Sequence, residues 1–222
     1  MIPILLWRCP LCHTDDALKH TTHWFRPDQV RCTHCATIWE VQRVIGNDYL
    51  LKVVAGESTV LGQQRPLAEW YDLMKAGVEL VAREPSSLHL EPGEELYVQS
   101  RQAYLLVEED SPLCGQWEGP EAPWQKEGDL GLAFMKSWDA GSLALTNEHL
   151  IWSGGRGRQS FRLTKVNSVH TEVTWYLGLL YGLRLYKFRF REESILKWLT
   201  YIALTAKHIE RVYDHRITLS NY

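Results

Sequence analysis

Four cysteines carry the clearest chemistry in this chain. Cys9-Pro-Leu-Cys12 and Cys32-Thr-His-Cys35 are two CxxC pairs separated by nineteen residues. Each pair spans a tight bend that can aim both thiolates at one ion, and the intervening segment is long enough to fold back as a hairpin. That spacing is the one expected of a four-thiolate zinc site. Four sulfurs at about 2.3 Å complete a tetrahedron, so an ion held by Cys9, Cys12, Cys32 and Cys35 has no open position for a substrate. The expectation is one structural Zn2+ per chain.

Other uses of these residues are weaker. Cys9 to His13 also spells the CxxCH haem-attachment motif, but that use leaves Cys32 and Cys35 idle. A thioredoxin-like redox pair needs a βαβ pattern nearby, and none is visible. His13 and His34 can ligate zinc, yet four thiolates already suffice. The odd cysteine, Cys114, reads as a plain thiol, with no His or Asp pattern to make it a nucleophile. His149, His170, His208 and His215 are scattered without a motif that places them beside a Ser, Cys or carboxylate. No catalytic constellation emerges, and the expectation is a protein that is not an enzyme.

The elements around the cysteines are β-prone over residues 17–25, 29–31 and 37–44. Over about the first fifty residues the pattern resembles a zinc ribbon, which implies metal binding and leaves function open. In residues 1–50 five bases (Arg8, Lys19, Arg26, Arg31, Arg43) face five acids (Asp15, Asp16, Asp28, Glu40, Asp48), so no basic stripe for a phosphate backbone is visible. Trp24, Phe25 and Trp39 can stack on bases, but in so small a domain they are expected to cover the metal knuckles.

Residues 56–64 are polar and contain glycine, as in a connection. Pro66 suits a helix start, and Leu67, Trp70, Tyr71, Met74, Val78 and Val81 recur at helical spacing through about Ala82. This helix is expected to bridge two modules, its aromatic face docked on one of them.

The larger half is built around residues 141–163, GSLALTNEHLIWSGGRGRQSFRL. They read as two strands joined by a Thr146-Asn147-Glu148 turn, then a turn of glycines and arginines into a third strand. Residues 96–107, 165–173, 175–181 and 183–190 are also β-prone, and Tyr186, Phe188 and Phe190 alternate onto one buried face. From Glu192 the period changes, and Ile195, Trp198, Leu199, Ile202, Ala206, Ile209 and Tyr213 fall on one helical face. Glu192 and Glu193 suit the positive end of that helix. A strongly bent antiparallel sheet of about seven strands leaves an open end that such a helix covers. With its LxLTNxxLIW core in residues 143–152, this half resembles the pleckstrin-homology-like (PH-like) superfold, closest to the GRAM-type and bacterial branches. It departs from that pattern in a long insertion over residues 111–129, read as a surface loop.

The fold class is therefore mainly β with α: a small zinc ribbon plus a bent sheet capped by a C-terminal helix. The expected organisation is a ribbon at 1–54, a linker and bridging helix at 55–85, the PH-like part at 86–213 and a tail at 214–222. The resemblance implies phosphoinositide headgroups, peptides, ubiquitin or other proteins as ligands. A phosphate pocket between its first two strands is disfavoured, because seven acids meet two bases between Arg101 and Met135. Arg156, Arg158, Arg162 and Lys165 instead give a basic hairpin that can meet an anion or lipid headgroup, against the plainer reading of a solvated turn.

The net charge of −3 gives no global pull toward nucleic acid or acidic membranes. No run is long enough to span a bilayer, and the absence of an export signal makes a reducing, cytoplasmic setting the expectation, with peripheral membrane attachment as a variant. The leading functional expectation is a non-enzymatic assembly module that contacts proteins in a larger complex. The alternatives are an adaptor for anionic lipid and nucleic-acid binding through the ribbon.

Overall fold

The computed structural model describes residues 2–44, 48–84, 88–108, 135–172 and 176–220. The 111–129 insertion and Cys114 lie outside them. The chain divides into two compact units, Met1–Glu79 and Leu80–Tyr222.

In the first unit a short helix, α1 (Ile2–Leu5), precedes five antiparallel strands that pair in chain order. They are β1 (Leu18–Thr21), β2 (Asp28–Cys32), β3 (Ile38–Arg43), β4 (Tyr49–Ala55) and β5 (Gln64–Pro66). The two-residue alternation sends Val30, Trp39, Val41, Leu51 and Val53 to one buried face. Lys19, Gln29, Arg31, Glu40 and Lys52 share the opposite face by register.

Helix α2 (Leu67–Ala76) covers the apolar face with Leu67, Trp70 and Met74. Each fully buried side chain of this kind contributes about 1.5–3 kcal/mol. The Trp70 ring meets Trp39 edge-on at 6.0 Å, and its indole N–H donates to the Leu51 carbonyl at 3.1 Å. The aromatic face of the expected bridging helix is thus docked on the N-terminal sheet. Its apolar spacing predicts helix through about Ala82, but the helix ends at Ala76. Gly77 follows with an ordinary φ of −88°, so it is not needed for a left-handed turn. A Cβ there would lie 2.6 Å from the His13 ring, so the close approach of that ring selects glycine, and glycine's poor helix propensity ends the helix.

In the second unit β6 (Leu96–Gln99) and β7 (Ala103–Glu108) run as one interrupted strand along the long β8 (Met135–Thr146). The chain continues through β9 (His149–Gly154), β10 (Gly157–Arg162), a single 3-10 turn at Leu163–Lys165, β11 (Val166–Glu172), β12 (Tyr176–Tyr181) and β13 (Arg184–Phe190). Neighbours are antiparallel, and β13 returns to pair with β7. Counting β6 and β7 together gives the expected seven strands. One more, β14 (Thr218–Ser220), pairs parallel to β11 in the stretch expected to be a tail.

Tyr186, Phe188 and Phe190 are buried as their alternation requires, and Phe161 packs edge-on to Tyr186 and Phe188 at 4.7 and 6.0 Å. Helix α3 (Ile195–Tyr213) packs on β6, β12 and the 3-10 turn. Of its predicted apolar face only Tyr213 is open, at 47% exposure. Phe190 stacks on Trp198 at 4.9 Å. Glu193 acts through specific bonds: its carboxylate accepts from the Arg101 amide at 2.7 Å and the Trp198 indole N–H at 3.2 Å, with Lys197 3.7 Å away.

Candidate metal centre

The hairpin of β1 and β2 brings the two CxxC pairs together. Cys9 and Cys12 lie in the bend before β1, Cys32 ends β2, and Cys35 lies in the turn into β3. Their four sulfurs lie within 4.8 Å of one another, with Cys9–Cys35 at 3.8 Å and Cys12–Cys32 at 3.7 Å. A tetrahedron with bonds of about 2.3 Å has edges of about 3.8 Å, so the donor set fits one tetrahedral thiophilic ion. The group can hold one metal ion.

The two bends are built alike. The residue after each second cysteine is left-handed, His13 at φ 57° and Ala36 at φ 59°. This turns the chain so that the Cys9 amide donates to the Thr14 carbonyl at 3.0 Å and the Cys32 amide to the Thr37 carbonyl at 2.9 Å. The hydroxyls of the same two threonines lie against sulfur, Thr14 at 3.4 Å from Cys12 and Thr37 at 3.2 Å from Cys35. The motif is therefore C-x-x-C-x-T twice over. Reading the sequence for cysteines alone misses Thr14 and Thr37, although the repeat is visible in it. His13 packs on Gly77 and lends its carbonyl to the Arg8 guanidinium at 2.6 Å.

Cys9 and Cys32 are buried, while Cys12 and Cys35 edge a shallow hollow with Leu11, Thr37, Glu57 and Val60. Burial pushes the Cys9 and Cys32 thiols up. Burial acts the same way on Cys12, but hydrogen bonds from Thr14, Cys9 and His34 outweigh it and bring that thiol down to about 6.

The basic hairpin of the second unit is built differently. Arg156 lies in the β9–β10 turn, Arg158 and Arg162 lie on β10, and Lys165 lies in the 3-10 turn. Asp139, only 8% exposed, sits in the crook of the turn. One carboxylate oxygen accepts from the Arg156 amide at 3.0 Å and the other from the Ala140 amide at 2.9 Å. A side chain at Gly154 would collide with that carboxylate, which explains the glycine there. The Arg158 guanidinium donates to the His89 carbonyl at 2.7 Å. The turn's backbone thus cradles an anion belonging to the protein itself.

The 146–149 turn is closed in the same way. Thr146 and His149 both bond to Glu94, the His149 Nδ1 at 2.9 Å, and Asn147 takes the Glu95 amide at 2.9 Å. Burial acts to raise the Glu94 carboxyl, but its bonds to Thr146, the Glu91 backbone and His149 prevail and hold it below the usual range. His215 bonds to the Val166 carbonyl at 2.9 Å. His170 fills the space over Gly178. No helix among the described residues is long and apolar enough to cross a membrane. Compared with known proteins, the chain matches no family model and no curated sequence.

Proposed function

We propose that the chain is a non-enzymatic assembly module, a zinc ribbon with one structural zinc ion joined to a PH-like domain that binds a protein partner. Cys9, Cys12, Cys32 and Cys35 supply the ligands. Four protein donors fill a tetrahedral zinc, so the ion's role is to fix the ribbon's fold. The PH-like reading is supported by seven antiparallel strands whose last returns to the first, with a helix over the end.

Asp139 carries the choice of partner. A lipid phosphate approaching the glycine-arginine turn meets a carboxylate already bonded to the Arg156 amide, and Arg158 already serves His89. This favours a protein ligand over an anionic headgroup. Two measurements test the reading. Copurification from the native source is expected to give a stoichiometric protein partner, and turnover of a substrate by the purified chain overturns the non-enzymatic role. Phosphatidylserine vesicles are expected not to sediment the protein through this hairpin. Salt-sensitive binding that disappears with Arg156→Ala plus Arg158→Ala restores the lipid alternative.

A further inference from the structure

The most exposed large apolar side chains of the first unit are at the far end of its first hairpin. Trp24 and Phe25, 90% and 92% exposed, lie in the loop between β1 and β2, their rings edge-to-face at 6.3 Å. Trp39, the third aromatic that sequence offers for stacking, is core. We propose that this hairpin binds single-stranded nucleic acid, with Trp24 and Phe25 stacking on bases and Lys19, Arg26 and Arg31 meeting phosphates.

The charge argument comes from register. Lys19 and Arg31 are direct cross-strand partners, both exposed, and among the described residues no carboxylate pairs with either. Like charges placed opposite each other destabilise a sheet, and an anion laid across them relieves the repulsion. The hairpin's one acid, Asp28, faces His20 at 3.5 Å and accepts from the His23 amide at 3.1 Å. On the next strand of the same face, Glu40 lies between Gln29 and Lys52, diagonal to Arg31. The even count of bases and acids in residues 1–50 hides this segregation. Asp15 pairs with Arg8 at 3.5 Å, and Asp48 accepts the Tyr49 amide.

Base faces are open to an aromatic side chain only where they are unstacked, which selects single strands over duplex. A membrane fits less well. Lys19 and Arg31 lie on β1 and β2, below the loop that carries Trp24 and Phe25, so a headgroup layer entered by the tip alone leaves them out. A strand lying along the hairpin meets both groups. The proposal rests on the zinc reading only in that the ion holds Cys32, and with it β2, in place.

The test is fluorescence anisotropy of labelled oligothymidylate and oligouridylate, about twenty nucleotides long, with the full zinc-loaded chain. Binding is expected to weaken with salt, with a log–log slope of about −2 for three phosphate contacts. Trp24→Ala plus Phe25→Ala is expected to weaken it at least about tenfold, and Trp24→Phe plus Phe25→Tyr to keep most of it. Lys19→Glu plus Arg31→Glu should weaken binding and flatten the salt slope. These side chains are exposed, and circular dichroism checks that the fold is kept. No binding at about 50 mM salt, equal binding by the alanine variant, preference for duplex, or binding only to phosphatidylserine vesicles overturns the proposal. A chain with one zinc that does not bind overturns this proposal alone. A chain without zinc that still binds overturns only the zinc reading, and a chain with neither overturns both.

Discussion

The two units solve one problem in opposite ways. A tight turn leaves polar groups aimed at a point, and something must satisfy them. In the first unit the two C-x-x-C-x-T bends aim four sulfurs at each other, a set that can hold a metal ion. In the second, the β9–β10 turn closes on Asp139, and the 146–149 turn closes on Glu94 and Asn147. The first arrangement can be completed by an ion from outside, while the two turns of the second unit are closed by the protein's own side chains. Cysteine pairs and basic clusters are both read as sites from sequence, and only the contents of the turn tell them apart.

Breaking the comparison at its strongest point means removing a sulfur. Cys9→Ser or Cys32→Ser is expected to abolish metal binding and, with it, the fold of the first unit. Structural zinc in small domains contributes about 10–16 kcal/mol. Metal analysis should fall from one zinc per chain to none, with loss of near-ultraviolet dichroism; retention of the ion overturns the four-thiolate assignment. Asp139→Ala should leave the Arg156 amide without its carboxylate and cost about 1–3 kcal/mol in denaturant unfolding. A gain of phosphate binding by that variant would show that Asp139 had masked an anion site. Thr37→Val keeps the shape beside Cys35 but loses the hydroxyl, and metal affinity measured by chelator competition should fall about tenfold.

The smallest effect concerns pH. Glu94 has a carboxyl held below its unfolded value, so it contributes stability above the unfolded pKa of about 4.3, lost as pH falls through the folded value. Glu94→Gln should therefore lower stability at neutral pH and flatten the acid limb below about pH 4 in a series of melting curves. An unchanged acid limb would mean that the turn is held by Asn147 and Thr146 without it.

Much of this was legible in the residues. The CxxC spacing located the four-cysteine group, and the alternation in residues 184–190 and the helical face from Ile195 to Ile209 fixed what is buried. What stayed hidden depends on contacts distant in sequence. Asp139 lies 17 positions from Arg156, and Glu94 lies 55 from His149, so no local pattern links them. The end of α2 was missed because an apolar period continues past Gly77, where the cause of the stop is a histidine ring from the other end of the unit. The segregation of charge on the first hairpin was missed because counting residues ignores which face each one occupies.

The pairing of β13 with β7 also sets a timetable. Gln102 and Arg191, 89 positions apart, are joined through backbone and side chains where the sheet closes. On a ribosome adding about 5–20 residues per second, β7 waits roughly 5–20 s for the strand that covers its edge. The strands and helices of the first unit all lie before Gly77, so they emerge early and can pair while the later sheet is still open. Synthesis of this chain thus leaves the β7 edge open during that interval, and a chaperone that guards strand edges would act on the second unit then.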